Sequence, residues 1–573
     1  MEKLEEDRLS SLPKIILHCI LSKLPEKDAA RTSVLSKAWL DICYTFPILS
    51  FFTWNLLEKS LRQPIEYSER MRKISGFCDY VKRRILRFRD QSLAIKEFEL
   101  ILDSSRLCNI ANDVDIWLKL ACECGVEVIK YSQTAPVGDD EGGVEVNKYS
   151  QTVLVHGVRH HVFPISTIDA KSITTLMLEG RYIMIDPTFM NHSIKFFSLR
   201  VLTLRKVLLG DQHAINNLLS FCPLIESITL SLCSVLSFGA GKKENMKSFS
   251  IRGLQKLKRV DTRGIQDVYI DAPSLETLCY YPNEFEPTFK IDFDRCRNLK
   301  ELCLWFIRDT FFTAKWFLEL FLKFPFLESL KLNTCVMPER IDISSVRLKV
   351  LELSNCYNLK EVNIDAPNLL SCGYKGHDAS EPNMSFLRSS SQLEVNIHIP
   401  VEYEDLCNLR ELVQNIKPNN VLTSLSLTLF ILVSNVDERD PPVASQVSSP
   451  LPRIKHLALG NVPYNTSLFL SLANILLSSY CPITISLSIN SRRKEFIEFF
   501  YKTLMRRKGD ECFCSDYDTK CLCSVYDKCW WYDLKDVKVT SSSMKMDENV
   551  DFKTILESLV LDRYERIIFS LYF

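Results

Sequence analysis

Cys512, Cys514, Cys521, Cys523 and Cys529 form a CxC, CxC, C series within eighteen positions, and clustered thiolates are the side chains that surround zinc. Structural zinc sites pair cysteines two to four residues apart, whereas a CxC step puts successive side chains on opposite sides of an extended chain. A cysteine-rich loop is therefore expected, with Cys512, Cys514, Cys521 and Cys523 as weak metal candidates and no cofactor. His160 and His161 are potential ligands, but with nine histidines in the chain they read as surface residues. GAGKK at Gly239 lacks the leading glycine and the Ser or Thr of a phosphate-binding loop. HExxH, GxSxG and GxGxxG patterns are absent, and the chain holds 16 glycines. No catalytic residues are assigned.

Composition bounds the class. The chain has 573 residues, 46% hydrophobic and 25% charged, which is a globular composition with ample material for a core. Lys plus Arg number 71 and Asp plus Glu 71, so no charge imbalance favours nucleic acid or an anionic membrane. The cysteines number 21, an odd count scattered through apolar runs, which suggests free buried thiols in a reducing compartment. The start MEKLEEDRLS is acidic without an apolar signal region, and Val421 to Val433 is too short to span a bilayer, so cytoplasm or nucleus is expected.

The elements that position any functional surface come from two patterns. Residues Leu9 to Phe51 hold three helices in prospect: Pro13 opens the first, which carries Ile16, Leu17, Ile20, Leu21 and Leu24, and Pro25 ends it. Asp28 caps a second with Ala29, Ala30 and Val34, and Ser36 a third with Trp39, Leu40 and Cys43. The block is too small to bury a core alone, so it finishes its core on a partner or on the rest of the chain.

The second pattern is aliphatic-x-x-aliphatic-x-aliphatic. It matches at Leu199/Leu202/Leu204, Ile225/Ile228/Leu230, Leu299/Leu302/Leu304, Leu327/Leu330/Leu332, Leu348/Leu351/Leu353, Leu359/Val362/Ile364 and Ile454/Leu457/Leu459, with looser copies at Leu275 and Leu369. Starts differ by 21 residues from Leu327 to Leu348 and from Leu348 to Leu369, within the period of about 20 to 29 residues of leucine-rich repeats. Each unit lays down one short strand and completes its core only against its neighbours. Cys233, Cys335 and Cys356 sit three positions beyond Leu230, Leu332 and Leu353, where such repeats turn the chain with Asn or Cys.

Residue identity then carries a resemblance. The run LPxxILxxILSKLPxKDAxRTSVLSKxW, from Leu12 to Trp39, resembles the F-box of plant F-box proteins, most specifically across Asp28 to Trp39. DAPSLETL at Asp271 and DAPNLLSC at Asp365 resemble the irregular leucine-rich repeats of the same proteins. The resemblance implies an α/β chain: an N-terminal three-helix F-box followed by a curved leucine-rich-repeat solenoid with a C-terminal cap. It further implies a noncatalytic substrate receptor of an SCF-type ubiquitin ligase, bound to a Skp adaptor and through it to a cullin. Leu12, Pro13, Ile16, Ile20, Leu21, Leu24 and Pro25 would meet the adaptor, with Val34, Leu35 and Trp39 beside them. Residues between inward leucines would face a target protein, and Arg205, Trp305, Lys331 and Asn333 are nominated, since Trp and Arg dominate binding hot spots. Two alternatives stand: a binding scaffold outside a ligase, and a cysteine-dependent ubiquitin-transfer enzyme.

The expected division is F-box 9–51, helical linker 52–94, solenoid 95–490 and a capping region with the Cys-rich loop 491–573. Glu69 to Asp90 carries eight basic residues among apolar ones and reads as an amphipathic helix with a solvated outer face. GVEVIKYSQT at Gly125 recurs as GVEVNKYSQT at Gly143, a local duplication of one strand. Asn435 to Pro452 reads as a loop. Leu534 to Ser541 and Arg566 to Phe573 alternate as strands, with a helical face at Phe552, Ile555, Leu556, Leu559 and Val560.

Overall fold

The computed structural model describes residues 12–24, 26–53, 67–103, 107–134, 152–155, 158–164, 171–185, 196–236, 243–286, 288–308, 311–376, 382–402, 416–417, 419–432, 451–460, 472–473, 476–477, 479–489, 494–505, 530–541, 552–558 and 565–573. The chain forms two compact units, Met1–Cys296 and Arg297–Phe573. It is a mixed α/β protein dominated by parallel strands.

The first unit opens with three short helices, α1 (Lys14–Leu21), α2 (Glu26–Thr32) and α3 (Lys37–Tyr44). Pro13 sits at the N-cap of α1, and the Ser36 hydroxyl caps α3 by accepting from the Trp39 amide at 3.2 Å. Strand β1 (Ile48–Phe52) follows, then a 24-residue helix α4 (Tyr67–Asp90). Ile74, Phe77, Val81, Ile85 and Phe88 recur at three- and four-residue steps on α4 and are all buried. They pack on α5 (Leu107–Glu123), where the Phe77 and Trp117 rings meet edge to face at 5.9 Å.

The same unit then repeats one plan. Strands β2 (Glu97–Asp103), β3 (Val128–Thr134), β4 (Thr175–Glu179), β5 (Val201–Arg205), β6 (Ser227–Ser231), β7 (Arg259–Arg263) and β8 (Thr277–Tyr281) join β1 in parallel, each in register with the next. Alternate residues point inward: Leu202 and Leu204, Ile228 and Leu230 are completely buried. A second set of short parallel strands forms from the return segments, for example 248–252 beside 267–271. The ladder begins at Ile48, earlier than the expected residue 95, because the five residues ILSFF already alternate and pair with Glu97–Ile101.

The second unit follows the plan with β9 (Glu301–Trp305), β10 (Ser329–Asn333), β11 (Val350–Ser354), β12 (Ser371–Lys375), β13 (Glu394–Glu402), β14 (Leu425–Leu432), β15 (Arg453–Gly460) and β16 (Cys481–Ile489), parallel and in register. Here the match at Leu359 falls out of the main ladder. Val362 and Ile364 instead belong to a return strand, 361–366, flanked by 340–344 and 383–389, so the same inward alternation serves both sides of the stack. The end is closed by β17 (Asp536–Ser541) and β18 (Glu565–Tyr572), antiparallel to each other, with β18 antiparallel to β16. Helix α6 (Lys494–Met505) buries Phe496, Ile497, Phe500 and Leu504, and the Phe500 and Phe569 rings lie 5.7 Å apart.

One turn recurs after the strands. Lys206, Leu232, Phe306, Thr334 and Asn355 follow directly on strand ends with φ between 50° and 57°, and Gly264 takes φ 76° at the equivalent place. This left-handed conformation costs a side-chain-bearing residue about 1 to 2 kcal/mol. Its return is that the turn residue's amide reaches the last carbonyl of the next strand: Lys206 to Ser231 at 2.7 Å, Leu232 to Arg263 at 2.8 Å, Thr334 to Ser354 at 2.8 Å. The next residue but one from the strand end then dives inward, as Cys233, Cys335 and Cys356. Their thiols donate to the carbonyls of Leu204 (3.5 Å), Leu304 (3.6 Å) and Leu332 (3.7 Å) on the preceding strand. A cysteine suits this place because it is small, tolerates burial and still supplies a weak donor.

His160 and His161 are buried, not at the surface as expected. His161 contacts Asp115 Oδ1 through Nε2 at 3.0 Å and the Tyr131 hydroxyl through Nδ1 at 3.3 Å. The apolar residues around HH place this pair on a return strand, Val158–Val162, whose register with Ile183 and Met184 turns it into the interior. The first GVEVIKYSQT copy supplies β3. The second copy up to Gln151, the 435–450 loop, Leu559 and Val560, and the series Cys512, Cys514, Cys521, Cys523 and Cys529 lie outside the described residues.

Candidate functional site

The N-terminal helices enclose a small core and leave several aliphatic side chains exposed. Leu17, Leu21, Trp39 and Ile42 form the core, with Leu12, Ile20, Ala29, Cys43 and Phe46 packed around it. Leu21 and Trp39, two of the proposed adaptor contacts, are thus interior residues, 2% and 5% exposed, and act by holding the helices together. The remaining proposed contacts divide by exposure. Val34 is 84% exposed and Leu35 66%, both in the turn between α2 and α3, while Ile16 and Leu24 are about half as open and Pro13 is exposed. Ile15, 78% exposed, belongs to the same apolar surface and was missed because periodicity placed it between the inward positions of α1. Pro25 lies outside the described residues.

Ile15, Ile16, Leu24, Val34 and Leu35 are thus five exposed aliphatic side chains within twenty-one residues, a higher density than the scattered single apolar residues ordinary on a monomer's surface. The last of these helices, α3, is tied to α4. Arg84 of α4 donates from Nη1 to the Tyr44 carbonyl at 2.6 Å and from Nη2 to the Cys43 carbonyl at 2.7 Å. These are orphan carbonyls at the C-terminus of α3, where a cation also complements the helix dipole. Arg84 and Arg87 both lie over the Tyr44 ring, at 5.5 and 3.8 Å. The basic residues of α4 are therefore not all solvated, and Arg84 is the functional residue that the sequence reading passed over. Its signal was a basic residue one position from the apolar stripe of Val81, Ile85 and Phe88. A cavity of about 370 Å³ remains beside this clasp, lined by Leu24, Tyr44, Phe46, Phe51, Tyr80 and Arg84 among others.

The proposed target residues fall in both units. In the first, Arg205 is exposed at the end of β5, 3.8 Å from Glu179. In the second, Trp305 and Asn333 are register partners on β9 and β10, and Lys331 reaches Glu301 at 3.1 Å, so these three share one outward face. Cys303, Glu352 and Ser354 extend that face along the same rows. Thr203 and Thr229 are register partners on the first unit's ladder.

Nucleophilic chemistry is disfavoured at the buried thiols of the stack. Burial pushes the Cys222, Cys233, Cys335, Cys356 and Cys372 thiols up to about 12, and the thiolate is the nucleophilic form. Among the described residues, no group of three or more His, Cys, Asp and Glu is placed to hold a metal ion. Among them, too, no helix is long and apolar enough to cross a membrane.

Known families match both parts. The F-box domain family matches residues 9–51, and the family described as "At1g61320/AtMIF1, LRR domain" matches residues 270–515. Arabidopsis thaliana proteins are similar over part of their length. Putative F-box/LRR-repeat protein At5g54820 is 28% identical over 236 residues, 41% of this chain and 44% of the relative. FBD-associated F-box protein At4g10400 is 27% identical over 277 residues, 47% and 54%, and F-box protein At5g03100 is 27% identical over 251 residues, 44% and 63%. The chain spans about half the length of these curated relatives. With both domains matched, and with the helical block and the in-register strands where the matches fall, the chain is a plant F-box/leucine-rich-repeat protein.

Proposed function

We propose that this protein is the substrate-receptor subunit of an SCF-type E3 ubiquitin ligase. The F-box, 9–51, docks a Skp adaptor and through it a cullin, and a curved solenoid of leucine-rich repeats behind it, capped by 491–573, holds a target protein. The subunit is noncatalytic and works in the cytoplasm or nucleus: transfer is carried out in trans by a ubiquitin-loaded enzyme that the assembly brings close. The observation that carries this reading is the exposed apolar set Ile15, Ile16, Leu24, Val34 and Leu35 on helices whose own core is already filled. The raised thiols weigh against a cysteine-dependent transfer enzyme. A binding scaffold outside a ligase is the second reading, favoured by nothing beyond the same surfaces.

Reconstitution separates the two. Full-length protein mixed with a plant Skp adaptor and a cullin is expected to elute as one complex on size exclusion. Capture of the adaptor with exclusion of the cullin, or capture of neither, ends the receptor reading and supports the scaffold.

A further inference from the structure

The ladder of the first unit starts at β1, whose outer edge opens on the cavity beside the Arg84 clasp. Among the described residues β1 pairs with β2 alone. The Pro47 carbonyl accepts from the Lys96 and Glu97 amides at 2.9 and 3.2 Å, and the Thr53 amide donates to the Ile101 carbonyl at 3.1 Å. With Ile48 in register with Glu97, these two ends fix the phase: Leu49 and Phe51 bond to β2, and the main-chain groups of Ile48 and Ser50 point away from it. Among the described residues, no backbone amide or carbonyl meets those groups. The cavity of about 370 Å³ is bordered by Ile48, Leu49, Ser50 and Phe51, four residues in succession. Successive side chains leave a strand on opposite faces, so a space that touches all four lies along the strand's edge, for about 13 Å. Leu24, Ala29 and Leu40 of the F-box line it as well. The edge is also unguarded. Natural sheets blunt a free edge with charge or proline, and β17, which closes the second unit, carries Asp536 and Lys538. β1 reads ILSFF and carries neither.

We propose that this edge receives a short, extended, aliphatic segment of the target protein as one more strand of the sheet. Unpaired amides and carbonyls at strand spacing select an extended main chain, and a wall of Leu24, Ala29 and Leu40 selects aliphatic side chains over charged ones. The source is the target and not the adaptor. Of the exposed set Ile15, Ile16, Leu24, Val34 and Leu35, only Leu24 borders the cavity, whereas β1 is the first strand of the ladder assigned to the target. The inference rests on the receptor reading above and names the form in which a target is held.

The test uses full-length protein and a fluorescein-labelled hexapeptide of alternating Val and Ser, followed by anisotropy. Saturable binding is expected below about 1 mM. Two N-methylated isomers locate the bonds: methyl groups on the Val amides block one edge of the peptide, and on the Ser amides the other. One isomer should bind like the parent and the other about tenfold more weakly. In the protein, Ser50→Pro removes an amide that points away from β2, so the ladder's own bonds survive. It should weaken the peptide about tenfold with an unchanged melting temperature, while Ser50→Ala, which keeps the amide, should bind as wild type does. A saturating Skp adaptor should leave the peptide's affinity unchanged. No saturable binding, equal behaviour of the two isomers, full binding by Ser50→Pro, or displacement by the adaptor overturns the assignment, the last by giving the cleft to the adaptor. Adaptor capture by the same preparation keeps the outcomes apart: a peptide that fails while the adaptor is captured sinks the strand site alone.

Discussion

Cys233, Cys335 and Cys356 keep their protons because they are sealed inside the stack with a backbone carbonyl of the preceding strand as their acceptor. Burial pushes the folded thiols up to about 12 from the ordinary 9.0. A raised folded value stabilises fully below the unfolded value and is lost as pH rises toward the folded one. Each thiol should therefore withdraw about 1.4 kcal/mol of stability per pH unit between 9 and 12. A urea-unfolding series at rising pH should show the midpoint falling steeply beyond pH 9, and a flat profile contradicts the burial. In the F-box, Leu17→Ala should cost about 2 to 4 kcal/mol of that subdomain's stability through the cavity it leaves, seen as early loss of amide protection in the N-terminal helices. These roles were unequally legible. The position of each cysteine after an inward leucine was readable from period alone. Exposure was not, because Leu21 and Val34 are equally apolar letters and only packing separates core from display.

At the scale of elements, the left-handed turns after the strands are the costly feature. Thr334→Gly relieves a β-branched residue at φ 54° and should stabilise the second unit by about 1 kcal/mol, measured as a rise in denaturation midpoint. Gly264→Val places a branched side chain at φ 76°, with its Cβ 3.0 Å from Leu232 Cδ2, and should lower the first unit's midpoint. Arg84→Ala removes both donors from the end of α3 and should cost about 1.5 to 3 kcal/mol, with faster exchange of the α3 amides and unchanged exchange in the central strands. Strand positions were legible because aliphatics recur at fixed steps. The return strands and the Arg84 clasp were not: the first share the main strands' alternation, as Val362 and Ile364 do, and the second joins residues 40 positions apart that no local pattern connects.

At the scale of the molecule, we propose a division of labour in which a short helical block binds an adaptor and a long run of stacked strands binds a target. Both halves show the same economy: interiors filled by aliphatics at regular steps, and function left to what remains outside. For the F-box that remainder is an apolar surface, where a buried charge would be ruinous. Calorimetric titration of full-length protein with a plant Skp adaptor therefore tests the account most directly, comparing wild type with Val34→Asp combined with Leu35→Asp. Wild type is predicted to bind, and the double variant to lose roughly 2 to 4 kcal/mol of affinity, the hot-spot range, with its melting temperature unchanged. No binding by the wild type at micromolar adaptor, or equal binding by the two proteins, would contradict it.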